Sequence, residues 1–158
     1  MTCYPIPTPA HIHTGSLRVC YQAGEIVSID LMDTRESVMA PRNDFEAQLQ
    51  EQFQAYFANP AFRFGLGLRA QGTEFQQRVW RELQAIPAGQ VRSYGELAAR
   101  LGSSARAVGN ACRCNPTPIV VPCHRVVAKA GIGGFGGALA GRLIEQKRSL
   151  LQHEGVVL

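Results

Sequence analysis

The sequence predicts a mixed α/β protein made of two units, and three observations support this class. An alternating hydrophobic pattern with a single turn lies near the start of the chain. One stretch with helical spacing follows it, and further helical stretches fill the second half. We therefore expect a small N-terminal α/β domain with its linker at residues 1–72. A mainly helical domain that carries a helix-turn-helix is expected at residues 73–158.

The first unit is predicted to open with irregular structure and a β-hairpin. Residues 1–15 are rich in proline and lack periodicity, so we expect no regular element there. Apolar and polar side chains alternate over residues 17–22 and 25–32, on either side of Ala23-Gly24. This pattern is typical of two antiparallel strands joined by a tight turn.

A helix is predicted to complete the first unit. Hydrophobic side chains recur at helical intervals over residues 45–57. Asn43 or Asp44 can cap the start of this helix, and Pro60 ends it. Residues 62–72 then form a linker that can include one strand.

Two longer helices are predicted at the ends of the second unit. Thr73 caps the first, which carries one hydrophobic face and ends at residues 87–89. The last helix covers residues 139–155, and residues 115–131 before it form a tight turn and a short buried extended segment. The hydrophobic stripe predicted for the last helix consists of Leu139, Leu143, the stem of Lys147, Leu150 and Leu151.

Between them lie two short helices with the length and turn typical of a helix-turn-helix. Ser93 caps the first and Gly102 ends it. Ser103 or Ser104 caps the second, which runs to Cys114. The pattern is shared with many helical hairpins, so it is a hypothesis about DNA binding rather than a demonstration.

Small side chains dominate the second of these helices, which reads SARAVGN from Ser104. They suit a close approach of the helix backbone to DNA with little reading of sequence. Arg106 is the one long cation among them, and in a close-fitting helix it can fill the gap left by an extruded base. The alternative is a tightly packed interior helix with Arg106 at its solvent edge.

Charge is distributed unevenly over a chain whose formal net charge is +4. Residues 1–70 hold five Arg or Lys and seven Asp or Glu, whereas residues 71–158 hold eleven and five. The second half therefore suits a polyanionic partner such as nucleic acid. Fourteen of the sixteen cations are Arg, the residue suited to bidentate phosphate contacts, although a GC-rich genome also favours Arg codons.

The composition is 46% hydrophobic and 18% charged, which is typical of a globular protein. The chain lacks an apolar run of the roughly 20 residues that cross a bilayer, and its start does not read as a secretion signal. We expect an intracellular protein that does not enter the membrane. Its five cysteines, an odd number without a C-x-x-C pair, are expected to be reduced rather than to form a disulfide framework.

The stretch PIVVPCHRVV places Cys123 beside His124 among valines. Burial alone raises a thiol pKa, so a reactive cysteine needs a base nearby, and a tight turn after Pro122 can bring the imidazole to the sulfur. A carboxylate would then orient the imidazole, with Glu145 and Glu154 as candidates. The alternative is a Cys–His pair that only packs in the core.

PCHRV, preceded by N-P-x-P and by SYGELA and ARAVG and followed by HEG, resembles the O6-alkylguanine-DNA alkyltransferases. The resemblance runs from about Thr73 to Gly155, while the first half matches in general character. It implies a ribonuclease H-like N-terminal domain and a catalytic DNA-binding domain at residues 73–158.

The resemblance implies direct DNA repair by a methylated-DNA–protein-cysteine S-methyltransferase. Such a protein flips O6-alkylguanine, for example O6-methylguanine, out of duplex DNA bound through the minor groove. It transfers the alkyl group irreversibly to its own cysteine, so each molecule acts once. We further expect a monomer, and because the start of the chain lacks the pattern of a secretion signal we expect it in the cytoplasm, joining the nucleoid on DNA. The resemblance leaves open cooperative DNA binding and activity on O4-alkylthymine.

The same resemblance assigns roles to individual residues. Cys123 would accept the alkyl group, with His124 as base through a water and Glu154, favoured over Glu145, orienting His124. Asn115 would support the thiolate, and Tyr94 would assist nucleotide rotation and protonate the leaving guanine. The DNA-binding residues would be Arg106, with Ser93, Ser104, Ala105, Ala107, Gly109 and Arg113. The substrate pocket would be lined by Pro118, Val126, Phe135, Gly136 and Gly137.

The predicted chemistry requires no cofactor, because a soft nucleophile and a proton donor suffice for dealkylation. No P-loop and no dinucleotide-binding glycine motif occurs in the sequence. An N-terminal zinc site through Cys3, Cys20 and His11 or His13 is the less favoured alternative, because this spacing is not that of a recognised zinc finger.

Three other functions compete with this interpretation. An alkyltransferase-like recognition protein would bind damaged bases without chemistry, but such proteins carry another residue in place of the cysteine. A cysteine hydrolase would use Cys123 and His124 and regenerate its thiol. A transcription regulator would read sequence through the helix pair, for which the side chains are too small.

Overall fold

The computed structural model describes residues 1–157. The N-terminal unit contains an antiparallel sheet with strand order β1-β2-β3. Its strands are β1 (Thr2–Pro7), β2 (Ser16–Gln22) and β3 (Glu25–Met32). The predicted hairpin is confirmed, and both turn residues have positive φ, 51° at Ala23 and 73° at Gly24. Such a turn matches the right-handed twist of the paired strands.

The expectation of irregular structure over residues 1–15 is wrong for β1. This strand lies at the edge of the sheet, where proline is tolerated because one row of backbone N–H groups needs no partner. Pro5 and Pro7 therefore fit the strand opposite Arg18 and Ser16.

The expectation that all cysteines are reduced is also wrong. The β1–β2 register places Cys3 directly opposite Cys20, and the two sulfurs form a disulfide. Cys112, Cys114 and Cys123 are free thiols within the described part of the chain. Sequence alone could not pair Cys3 with Cys20, because the pairing depends on β1, and the prolines of β1 led to a prediction of irregular structure there.

Helix α1 (Asp44–Ala58) packs on the sheet through Leu49, Phe53 and Tyr56, as its spacing predicted. Asn43 is its N-cap, because the side-chain oxygen accepts a hydrogen bond from the Glu46 backbone N–H at 2.8 Å. The core under this helix also receives side chains from the second half of the chain, including Ile119 and Leu150. The division into domains at residue 72 stays a prediction.

The second half is mainly helical and surrounds its own core. Its elements are α2 (Glu74–Gln84), β4 (Arg92–Ser93), α3 (Tyr94–Leu101), α4 (Ala105–Arg113), a 3-10 turn (Cys123–Arg125), β5 (Val126–Val127) and α5 (Arg142–His153). Thr73 caps α2 in a reciprocal capping box with Gln76. The short strands β4 and β5 pair in parallel, which ties the start of α3 to the segment that follows Cys123.

The predicted pair of short helices is present as α3 and α4. Gly102 ends α3 in the left-handed conformation at φ 63°. Ser104, rather than Ser103, caps α4 by accepting a hydrogen bond from the Ala107 backbone N–H at 3.1 Å. The function of this pair as a DNA-binding helix-turn-helix and the ribonuclease H-like class of the N-terminal unit remain predictions.

The last helix differs from its prediction at Leu139 and goes beyond it at Lys147. It begins at Arg142, after Gly141 at φ 85°, so Leu139 lies outside it and is 84% exposed. Lys147 buries its ammonium as well as its stem, because Nζ donates to the carbonyl oxygens of Val126, Ile132 and Gly134 at 2.6–2.9 Å. Across residues 1–157, helices long and apolar enough to span a membrane are absent.

Candidate active site

Cys123 is the first residue of the 3-10 turn and is 8% exposed. Its side chain lines a cavity of about 220 Å³ between the α3–α4 pair and the glycine-rich loop 131–141. The remaining lining residues are Tyr94, Gly109, Asn110, Cys112, Arg113 and residues 134–139. The thiol is thus buried from bulk solvent yet opens into a space that a planar ligand can enter.

The predicted pocket residues divide into two groups. Phe135, Gly136 and Gly137 line the cavity beside Cys123. Pro118 and Val126 do not line this cavity, and their part in a substrate pocket stays a prediction. Val126 is fully buried in β5, and Pro118 forms an isolated bridge with Val121 in the preceding turn.

Burial raises the pKa of the Cys123 thiol above its ordinary value. A hydrogen bond from the Asn115 side chain and the positive charge of Lys147 oppose this effect without cancelling it. Asn115 is itself held in place, since its Nδ2 donates to the Val121 carbonyl at 2.7 Å and its Oδ1 accepts from the Thr117 backbone N–H at 3.1 Å. At neutral pH the thiol therefore keeps its proton until a base removes it.

His124 is the residue that follows Cys123, and it is fully buried. Its Nε2 is 2.9 Å from Glu154 Oε2. Because a carboxylate only accepts hydrogen bonds, Nε2 carries the proton and Nδ1 presents a lone pair. Nδ1 is buried and lacks a hydrogen-bond partner within residues 1–157. The alternative carboxylate, Glu145, is half-exposed and lies 3.9 Å from His13 instead.

Four hydrogen bonds from three residues hold Glu154 just beyond the end of α5. In addition to His124, Arg125 donates to both carboxylate oxygens at 2.8 Å, and the Tyr56 hydroxyl donates to Oε2 at 2.7 Å. Burial alone would raise the pKa of Glu154, but the charges and hydrogen bonds of His124 and Arg125 hold it well below its usual range. Burial lowers the pKa of His124 against the opposing pull of Glu154, so the imidazole is neutral at pH 7.

Tyr94 begins α3 and faces the same cavity. Its hydroxyl donates to the Gly134 carbonyl at 3.3 Å, and burial raises its pKa to about 12. The Lys147 ammonium lies 5.8 Å from the ring centroid and donates to the same carbonyl. Tyr94 is thus a proton donor held against the glycine-rich loop.

Sequence reasoning did not identify three residues of this cluster. Arg125 stood inside the PCHRV motif but received no role, although a buried arginine requires a carboxylate. Tyr56 was predicted only as a hydrophobic residue of the first helix. Its hydroxyl could have indicated more, because a buried tyrosine hydroxyl usually has a hydrogen-bond partner. Lys147 was assigned only a buried stem, because no local pattern predicts a buried ammonium.

The residues predicted to contact DNA lie on α4 and at the start of α3. Ser104, Ala105, Arg106 and Arg113 are exposed, Ala107 and Gly109 are half-buried, and Ser93 caps α3 by accepting from the Glu96 backbone N–H. A Cβ on Gly137 would lie 2.9 Å from Arg113 Nε, so this loop glycine lets the arginine pass close to the cavity rim. Arg113 therefore places a cation at the rim of the cavity, and Arg106 is an exposed cation on the same helix.

The residues considered for zinc do not form a cluster. Cys3 and Cys20 are bonded to each other, and His11 Nε2 lies 3.0 Å from His153 Nδ1. Within residues 1–157 no group of three or more His, Cys, Asp or Glu side chains is arranged to hold a metal ion.

Comparisons with known proteins identify the relatives of this chain. The family model for the DNA-binding domain of 6-O-methylguanine DNA methyltransferase matches residues 74–156. The methylated-DNA–protein-cysteine methyltransferase of Mycolicibacterium paratuberculosis is 50% identical over 107 residues, 66% of this chain and 62% of that protein. The constitutive methylated-DNA–protein-cysteine methyltransferase of Bacillus subtilis is 37% identical over 142 residues, covering 83% of this chain and 86% of that protein.

Solved structures extend the similarity over both units. The crystal structure of Mycobacterium tuberculosis O6-methylguanine methyltransferase matches with a TM-score of 0.76 and 34% identity over 97% of this chain and 93% of that chain. A structure of the M. tuberculosis protein in complex with DNA matches with the same TM-score and identity, over 96% and 92%. The chain spans about 62% of the length of the first curated relatives that it matches. The family predicted from the PCHRV motif is confirmed: the chain belongs to the 6-O-methylguanine DNA methyltransferase family.

Proposed function

We propose that this protein repairs DNA by transferring the alkyl group of O6-alkylguanine, with O6-methylguanine as the reference substrate, irreversibly to Cys123. The observation that carries the proposal is a thiol that opens into a cavity and is followed in sequence by a buried histidine whose Nε2 lies 2.9 Å from a carboxylate oxygen. The names of the relatives, methylated-DNA–protein-cysteine methyltransferases, support the same activity.

The first step of the proposed reaction is removal of the thiol proton. His124 Nδ1 carries the lone pair that accepts it, directly or through one water, while Nε2–H stays on Glu154. Glu154 stabilises the imidazolium that forms, as an orienting carboxylate does in other nucleophile–base pairs. Asn115 and Lys147 stabilise the thiolate, since both lower the pKa of Cys123.

The second step is displacement at the alkyl carbon. The thiolate attacks, the new S–C bond forms as the C–O6 bond breaks, and the electron pair passes to the guanine ring. Tyr94 donates a proton to the departing base, because its high pKa keeps the hydroxyl protonated at neutral pH. The product is a thioether at Cys123. Nothing in this step returns the thiol, so the protein is consumed stoichiometrically.

Access to the base is proposed to come from the α3–α4 pair. The small residues of α4 allow its backbone to approach the minor groove, and Arg106 fills the gap left by the flipped nucleotide. The net positive charge of residues 71–158 favours binding to the phosphate backbone. The structure of the M. tuberculosis relative in complex with DNA supports DNA binding.

Intact-protein mass spectrometry tests the proposal. The protein is incubated with duplex DNA that contains O6-methylguanine, followed by peptide mapping. We expect a gain of one CH₂ on Cys123 that stops at one equivalent and is absent in Cys123→Ala. Cys114→Ala, which removes an exposed free thiol, is the matched control and should react normally.

Other outcomes would point to the competing functions. Lesion binding without a mass change would indicate a recognition protein, and neither binding nor transfer would exclude both. Turnover beyond one equivalent would indicate a hydrolase. A footprint at a defined sequence without any lesion would indicate a regulator. A parallel duplex with O4-methylthymine determines whether that base is a second substrate.

A further inference from the structure

We propose that Tyr56 is a positioning residue for the reaction of Cys123, because its hydroxyl fixes Glu154 and, through Glu154, the imidazole of His124. This inference rests on the proposed function. It assigns the N-terminal unit a part in the chemistry, although the residues that face the cavity come from the second half of the chain.

Tyr56 and His124 contact the same oxygen atom of Glu154. Tyr56 and Glu154 are 98 residues apart, yet the hydroxyl lies 2.7 Å from Glu154 Oε2, the same oxygen that lies 2.9 Å from His124 Nε2. Tyr56 is 1% exposed, and the Glu154 side chain is fully buried. A hydroxyl and an imidazole that share one carboxylate oxygen are coupled, since each changes the charge that the other meets.

The tyrosine is itself held firmly. His153, the neighbour of Glu154, contacts the Tyr56 ring edge-on at a centroid distance of 5.1 Å, and its Nε2 lies 3.1 Å from the Tyr56 carbonyl oxygen. Phe64 packs against the ring at 5.5 Å. Helix α1 therefore brings both a backbone acceptor and a side-chain donor to the end of α5, and the donor has little freedom to leave Glu154.

The Tyr56 hydroxyl acts on His124 through the negative charge of Glu154. Tyr56 neutralises part of the negative charge on Oε2, so its removal leaves more of that charge facing His124 and stabilises the imidazolium. The ionisable groups whose charge acts on His124 are Glu154, Arg125 and Lys147, and Tyr56 acts on it through Glu154. Among them Tyr56 alone belongs to the N-terminal unit, and it can lose its hydroxyl without a change of formal charge.

The chain contains a matched control for this hydrogen bond. Tyr21 donates to Glu46 Oε1 at 2.7 Å, and Arg42 also donates to Glu46, as Arg125 does to Glu154. Both tyrosines are buried in the N-terminal unit, and both carboxylates are fully buried. Tyr21 and its carboxylate do not line the cavity at Cys123. Tyr21→Phe thus measures the cost of losing a buried tyrosine–carboxylate bond without touching the site.

The experiment compares Tyr56→Phe with Tyr21→Phe. Single-turnover rates of methyl transfer are measured from pH 5 to pH 9, and urea unfolding of each variant gives its folded fraction. For Tyr56→Phe we expect an acid limb moved to higher pH by about half a unit, because more negative charge faces His124. We also expect a plateau rate lower by about tenfold, because Glu154 and with it the His124 ring are held less firmly in place. Tyr21→Phe should lose stability but keep the pH profile of the parent protein. Identical profiles for the two variants would overturn the inference.

A second readout separates this inference from the proposed function. The His124 ring is titrated by NMR in histidine-labelled protein without DNA. Tyr56→Phe should raise the pH at which His124 protonates, whether or not the parent protein transfers a methyl group. An unchanged His124 titration would refute the coupling, while absent methyl transfer in the parent would refute only the proposed function. If Tyr56→Phe does not fold, 3-fluorotyrosine at position 56, a stronger donor, should move the titration to lower pH, and no movement would count against the coupling.

Discussion

His124 and Glu154 form a fully buried pair in which Nε2 lies 2.9 Å from Oε2. The bond determines which ring nitrogen is protonated, and so leaves the Nδ1 lone pair available next to Cys123 in sequence. Because burial lowers the pKa of His124 while it raises that of Cys123, the resting pair at pH 7 is a neutral base with a protonated thiol. Five predictions about activity and stability follow from this pair, from Arg106, from Lys147 and from the Cys3–Cys20 disulfide.

The rate of methyl transfer should be flat between about pH 7 and pH 9 and should fall as the pH drops below about 6.5. The basic limb is absent from this range because the thiol pKa is raised, and the acid limb reflects protonation of His124. Single-turnover rates with lesion-containing duplex DNA measure the profile. A rate that rises tenfold per pH unit through pH 8 would show that the thiol ionises without the histidine.

The folded state should lose stability over the same acid range. The pKa of His124 is lower in the folded than in the unfolded protein, so below about pH 6.5 the unfolded chain binds the extra proton and is favoured. Glu154 acts in the same direction below about pH 4.5, because its folded pKa is depressed. Urea unfolding at pH 7.5, 5.5 and 4.0 should give a falling free energy of unfolding, and a constant value would contradict both shifts.

Arg106→Ala should slow methyl transfer from duplex DNA by about tenfold or more, because an extruded nucleotide then leaves an unfilled gap. Reaction with free O6-methylguanine base should be unchanged. The salt dependence of duplex binding should decrease by about one unit of slope, as expected for one lost cation. Arg81→Ala, an exposed arginine on α2, is the control. If both variants behave alike on duplex DNA, the special role of Arg106 is refuted.

Lys147→Met should destabilise the protein by about 2–4 kcal/mol, because three buried or half-buried carbonyl oxygens lose a charged donor. The loop that contains Ile132 and Gly134 should become sensitive to proteolysis, and methyl transfer should slow as the cavity wall loosens. Lys129→Met, an exposed lysine in the same segment, should change neither property. If Lys147→Met has the free energy of unfolding of the wild-type protein and its loop resists protease equally well, this role of Lys147 is contradicted.

Thiol alkylation in denaturant should label three cysteines without reductant and five with it, because Cys3 and Cys20 are bonded. The disulfide closes a loop of 17 residues, so Cys3→Ser together with Cys20→Ser should cost roughly 3 kcal/mol in the chain-entropy model. Mass spectrometry after alkylation measures the count, and urea unfolding the stability. Five labelled thiols in freshly purified, unreduced protein would show that the bond does not form in the cell.

Local sequence patterns predicted most of the secondary structure and the centre of the site. Hydrophobic spacing and capping residues identified α1 to α4, because these signals act between residues a few positions apart. They failed at β1, where proline is tolerated only because the strand is at an edge, and at Leu139, which precedes the helix start. The adjacent pair Cys123–His124 could be predicted as a nucleophile and base from residue type alone.

The sequence by itself therefore determined the helices, the hairpin and the family to which this chain belongs. The tertiary structure decided which distant side chains meet: Cys3 with Cys20, Tyr56 and Arg125 with Glu154, and Lys147 with the glycine-rich loop. It also chose Glu154 rather than Glu145 as the neighbour of His124. The physical reason is range, since caps and spacing depend on neighbours along the chain, whereas these contacts depend on strand register and on helix packing between segments far apart in sequence.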